Sequence, residues 1–159
     1  MDRGTGNHTE LALEHAACAQ GICYHALMPD ARASGVRDAL VGAAGRTPGL
    51  ELLLLYGSRA RGEAHARSDW DLGYLAAPET DISGLTAAVV EIAGTDRVDL
   101  VDLACAGGLL RYRAARDGEL IYERPGLDER FRFEAVRFWC EAGPLLRRGY
   151  ADVLADLKP

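Results

Sequence analysis

Apolar residues along this chain come either in short solid runs or in helical stripes, and the two kinds alternate. Leu52-Leu53-Leu54-Leu55-Tyr56 is too short for a good helix and predicts a buried strand. Leu72 to Leu75 predicts a second strand and Arg97 to Leu103 a third. Between them, Asp81 to Ala93 puts Ile82, Leu85, Val89 and Ile92 on one helical face, with Gly94 as the stop. Upstream, about Ala31 to Ala44 carries Val36, Leu40, Val41 and Ala44 at helical spacing, ended by Gly45 and Thr47-Pro48-Gly49. Downstream, Gly108 to Arg116 predicts a helix, Asp117-Gly118 a tight turn, Glu119 to Tyr122 a short strand and Pro125-Gly126 a break. Leu127 to Leu157 predicts a largely helical stretch with Phe131, Val136, Trp139, Leu146, Tyr150, Val153 and Leu157 facing inward, ended or kinked at Pro144. This alternation predicts an α/β (α+β) domain. Residues 1–30 stand apart as an N-terminal extension, partly helical from Thr9 to about Leu27, and 31–159 form the single domain with its C-terminal helices.

The chemistry gathers between Glu51 and Leu75. The first predicted strand runs into Gly57-Ser58 and then Arg59-Ala60-Arg61-Gly62. A strand entering a glycine turn and then a short helix exposes backbone N–H groups that bind phosphate. After Ser58 come ten residues and then Asp69-Trp70-Asp71, opening the second strand. Positions i and i+2 of a strand share a face, so Asp69 and Asp71 project side by side. Adjacent carboxylates repel unless a cation lies between them. An oxygen-preferring divalent ion, above all Mg²⁺, is the natural partner. A phosphate cradle beside paired carboxylates is the layout of phosphoryl or nucleotidyl transfer. No Gly-Lys-Ser/Thr and no Gly-x-Gly-x-x-Gly occurs, which excludes a P-loop and a dinucleotide fingerprint. Two further carboxylates, Asp99 and Asp102, lie on the third strand. Their offset of three sends them to opposite faces, so only one can join the pair.

Charge and composition narrow the partners. The net charge of −6 argues against a non-specific nucleic-acid binder. All but one of the eighteen basic residues are arginine, the exception being Lys158; this suits bidentate phosphate contacts, although codon bias accounts for it as well. Met1 to Glu10 is polar with no apolar segment of signal-peptide type after it, and no run is long enough for a membrane span, so a cytoplasmic location is expected. Cys18, Cys23, Cys105 and Cys140 are then expected as free thiols. His15, Cys18, Cys23 and His25 match no common zinc spacing. His65 reads as a surface-loop residue.

Gly57-Ser58, ten residues, then Asp69-x-Asp71 resembles the signature of the DNA polymerase β-like nucleotidyltransferase superfamily. The likeness is greatest to its minimal nucleotidyltransferases, several of which are antitoxins paired with HEPN-domain toxins, and it spans roughly Leu50 to Leu157. The resemblance implies a small mixed sheet with helices on one side. It implies two Mg²⁺ ions held by Asp69, Asp71 and a third carboxylate flanked by apolar residues. Asp99, after Arg97-Val98, fits that motif better than Asp102. It implies ATP as donor, with Gly57, Ser58, Arg59 and Arg61 along the phosphates. The implied reaction is transfer of AMP to a tyrosine of a cognate HEPN toxin, with which the chain would assemble. Alternatives are an antitoxin that acts by binding alone and an antibiotic nucleotidyltransferase of the aminoglycoside type. The stretch after Pro125 is small for the acidic pocket the latter needs.

Overall fold

The computed structural model describes residues 31–156. Its elements in order are helix α1 (Ala31–Gly45), strand β1 (Leu50–Tyr56), the one-turn helix α2 (Gly57–Ala60), strand β2 (Trp70–Ala76), helix α3 (Ile82–Ala93), strand β3 (Val98–Asp102), helix α4 (Gly108–Asp117), strand β4 (Glu119–Glu123) and helix α5 (Leu127–Asp156). The strands form one mixed sheet in the order β3-β2-β1-β4. β1 pairs antiparallel with both β2 and β4, and β2 pairs parallel with β3. The predicted elements are all present. The N-terminal extension, with its His15, Cys18, Cys23 and His25 grouping, lies outside the described residues, as does Leu157.

β1 is the centre of the fold because both of its faces are apolar. Leu50, Leu53 and Leu55 pack with Leu72 and Ile121 against Leu40 and Ala44 of α1 and Leu85 and Val89 of α3. Leu52, Leu54 and Tyr56 face the other way, onto Ala114 and Ala115 of α4 and Phe131 and Ala135 of α5. Helices therefore cover both faces of the sheet, not one side as the resemblance implied. The physical reason lies in the leucine run: a strand apolar on both faces needs burial on both. Leu52, Leu53 and Leu54 are fully buried, and each contributes about 2 kcal/mol by leaving water.

Local chemistry sets the ends of the helices. Asp81 caps α3 by accepting a 2.8 Å hydrogen bond from the Gly84 amide, and Gly94 closes it in the left-handed region at φ 65°. α5 differs from expectation in two ways. It runs through Pro144 as one helix. Pro144 and Cys140 are both exposed, so the carbonyl deprived of its amide partner has water within reach. Val136 and Leu146 are exposed rather than inward, at 40% and 37%. Among the described residues the buried apolar side chains of α5 are Phe131 and Ala135, and further along the helix only Gly143, against the Trp139 ring, is buried.

α5 is fixed to α4 by Arg132. Its Nε donates to both Asp128 carboxylate oxygens at 2.7 and 2.8 Å. Nη1 donates to the Ala115 carbonyl at 2.5 Å and Nη2 to the Gly118 carbonyl at 2.9 Å, satisfying the last turn of α4. On the far edge, Arg37 of α1 pairs with Glu119 and donates to the Leu120 carbonyl of β4 at 2.6 Å. Replacing Arg132 by Met keeps the aliphatic stem but leaves two carbonyls without donors. A loss of about 1–3 kcal/mol is expected in urea unfolding, with an unchanged slope. An unchanged midpoint would show that α5 is held by its apolar face alone.

Candidate active site

The site begins where β1 ends. Gly57 has φ 74°, a conformation costly for any residue with a side chain. A Cβ built on it would collide with Oδ2 of Asp71. The glycine is thus required twice, for the backbone turn and for the carboxylate lying against it. Ser58 follows in the one-turn helix α2, where its carbonyl accepts from the Glu63 amide at 2.9 Å.

Register aligns the carboxylates. Tyr56 is paired with Asp71 across β1 and β2, and Asp71 with Asp99 across β2 and β3. Paired residues project to the same face, so Tyr56, Asp71 and Asp99 form a row with steps of about 5 Å from strand to strand. Asp69 stands just before β2, two residues from Asp71 and exposed. This is the face covered by α4 and α5. Asp102 is paired with Tyr74, whose ring packs on the opposite face of the sheet. The Asp102 Oδ1 accepts from the Ala104 amide at 2.8 Å, closing the turn after β3. The structure thus sets Asp99 beside Asp71 and turns Asp102 away.

The row is only partly compensated by positive charge. Partial burial, then Asp69 and Asp99, push the Asp71 carboxyl above its ordinary range, against a smaller pull from Arg61 and Arg59. Burial, then the Asp99 and Asp71 carboxylates, push the Tyr56 phenol up to about 12, so it stays protonated. Among the described residues no three His, Cys, Asp or Glu side chains close round an ion by themselves. Asp69, Asp71 and Asp99 are instead an open set of oxygen donors spread over two strand ends. That suits Mg²⁺, which keeps waters and shares its coordination with phosphate oxygens.

The arginines divide. Arg59 donates through Nε to the Asp69 carbonyl at 3.1 Å and through Nη2 to the Ser68 carbonyl at 2.7 Å. Its guanidinium lies 4.2 Å from the centre of the Trp70 ring. It holds the loop that delivers Asp69, and burial lowers its pKa, with Asp69 and Asp71 opposing. Arg61 forms an exposed pair with Glu63 at 2.9 Å. The loop has its own frame: the Ser68 Oγ accepts from the His65 amide at 2.9 Å, and His65 Nδ1 accepts from the Arg67 amide at 3.1 Å. His65 is exposed, as its loop position predicted. Sequence reasoning missed Tyr56, seen only as the end of an apolar run, and Trp70, seen only as a spacer between aspartates. The one available signal was an aromatic adjoining each motif.

Residues 42–126 match the family described as Polymerase beta, Nucleotidyltransferase. This chain belongs to that family. It is 34% identical over 102 residues to the protein adenylyltransferase MntA of Aphanizomenon flos-aquae, covering 56% of this chain and 67% of the relative. The fold is similar to that of a chain in the crystal structure of a toxin–antitoxin with AMP-PNP, at TM-score 0.63 and 24% identity, over 74% of this chain and 98% of the other. It is also similar to a chain in the structure of a tri-AMPylated Shewanella oneidensis HEPN toxin with its MNT antitoxin, at TM-score 0.60 and 22% identity, over 76% and 98% of the two chains. The family match takes in the glycine turn and all three carboxylates, and the mixed sheet with its helices is the fold these neighbours share.

The burial of Asp71 beside two like charges has a consequence of testable sign. Its folded pKa lies above the ordinary value, so ionisation costs stability once the pH exceeds the folded pKa, and the cost vanishes below the unfolded one. Without divalent cations, Asp71→Asn should melt at a higher temperature than the parent at pH 7. The difference should close as the pH falls below the ordinary carboxylate range. A variant that melts lower at pH 7 would show that Asp71 is a structural carboxylate.

Proposed function

We propose that this chain is a Mg²⁺-dependent adenylyltransferase that moves AMP from ATP to a tyrosine hydroxyl of a HEPN-domain toxin, with loss of the hydroxyl proton and release of pyrophosphate from the α-phosphorus, and thereby neutralises the toxin. The observation that carries the proposal is the row of Asp71 and Asp99 on paired strands, with Asp69 beside them and Gly57 packed on Asp71. The relative named protein adenylyltransferase and the neighbours that hold AMP-PNP or an AMPylated toxin support it.

Each side chain has a part in this scheme. Asp69, Asp71 and Asp99 are the residues that would hold Mg²⁺, as carboxylate oxygen donors. When bound, the ions neutralise the triphosphate and acidify the acceptor hydroxyl. Gly57 lets the chain turn tightly enough for the backbone of α2 to approach phosphate, where the Ser58 hydroxyl donates a further bond. Arg61, free to leave its exposed pair with Glu63, adds positive charge at the phosphates. Arg59 contributes by holding Asp69 in place. The acceptor comes from the partner, which must set its hydroxyl in line with the α-phosphate. Phe133 and Leu145 of α5 are 68% and 69% exposed, apolar side chains of a size that protein contacts cover.

Four variants separate these roles. Asp69→Asn, Asp71→Asn and Asp99→Asn should each lower AMP transfer to the HEPN partner by about three orders of magnitude or more while leaving the fold intact. Asp102→Ala should retain transfer and lose about 1 kcal/mol of stability, the worth of its turn hydrogen bond. Intact-mass spectrometry of the partner after incubation with ATP and Mg²⁺ reads the result. If the partner's mass stays unchanged while its toxicity is suppressed, the chain acts by binding alone.

A further inference from the structure

A cavity of about 550 Å³ opens on the carboxylate face of the sheet, between the start of α4 and the middle of α5. Its walls are Tyr56, Gly108, Leu109, Leu110, Phe138 and Leu146, with Arg113 contributing the one charged side chain. Tyr56 belongs to both places. It precedes Gly57-Ser58 directly, it is paired with Asp71, and it lines the cavity. The cavity therefore adjoins the phosphate turn and the carboxylate row with a single side chain between them.

The remaining walls are built for a flat, mostly apolar guest. Phe138 is 45% exposed. One edge of its ring rests on the start of α4, where a Cβ on Gly108 would run into ring atoms Cε1 and Cδ1. Gly108 thus sets where the ring stands. Nothing in the protein's core requires this aromatic, since Phe131 and Ala135 already fill the buried stripe of α5. A volume of this size takes a nucleoside with space left for water. An apolar slot with an aromatic wall, beside one guanidinium, matches a base and sugar attached to a phosphate chain.

We infer that this cavity seats the base and ribose of the nucleotide donor, with Phe138 as the stacking wall and Gly108 holding it in position. The inference rests on the nucleotidyl-transfer function proposed above. The triphosphate then extends from the cavity past Tyr56 to the Gly57-Ser58 turn, and the α-phosphate comes to lie over the carboxylate row. The acceptor hydroxyl must approach from the side of β3, where Asp99 is exposed.

Titration calorimetry with three probes in the presence of Mg²⁺ tests this: ATP, adenosine and inorganic tripolyphosphate. Phe138→Ala should weaken adenosine and ATP by about tenfold, the worth of one stacked base, and leave tripolyphosphate unchanged. Gly108→Ala, which displaces the ring without removing it, should do the same. If both variants bind ATP and adenosine as the parent does, the cavity is not the nucleoside seat. If they also lose transfer to the HEPN partner, it serves the acceptor instead, and the inference is overturned. If the parent binds neither ATP nor tripolyphosphate, the transfer function itself falls and takes this inference with it.

Discussion

Like charges held together on one face of a small sheet are the constraint on which this protein turns. Folding half-buries the Asp71 carboxylate near those of Asp69 and Asp99, and burial first, then the two like charges, raise its pKa. The leucine run of β1 makes that cost bearable. Its side chains lock the sheet from both faces, so strand register is set by apolar burial and the carboxylates have no say in it. Carboxylates that repel one another in the free protein are the kind of local cost that functional sites carry, and a bound cation is what would offset it.

Much of this was legible along the chain because it is written in local chemistry. The strand at Leu52–Tyr56, the capped helix from Asp81 to Gly94 and the turn at Gly57 each depend on residues close in sequence. Asp69 and Asp71 could be set side by side from the period of a strand. The choice between Asp99 and Asp102 was open to parity alone, which says that they oppose one another but not which faces inward. Pairing of β3 with β2 supplies that, and it is a long-range fact.

Other features could not be read at all without the fold. The resemblance implied helices on one side, yet the unbroken apolar run Leu52 to Tyr56 needs cover on both faces, and the structure follows the run. Val136 and Leu146 have helical spacing suited to a core, yet both are exposed. Arg59 stands next to the Gly57-Ser58 turn in sequence, while its guanidinium reaches back to the Ser68 and Asp69 carbonyls and the Trp70 ring. Tyr56 joins the carboxylate row to the cavity under α4 and α5 only because three strands and two helices meet there.

The account's central claim is that Asp69, Asp71 and Asp99 together form an open divalent site completed by nucleotide. Electron paramagnetic resonance with Mn²⁺ in place of Mg²⁺ counts bound ions directly. In the presence of a non-hydrolysable ATP analogue the parent should bind two Mn²⁺ per chain, and Asp99→Asn should bind one. The same count in both proteins, or no Mn²⁺ bound by the parent, would contradict the account.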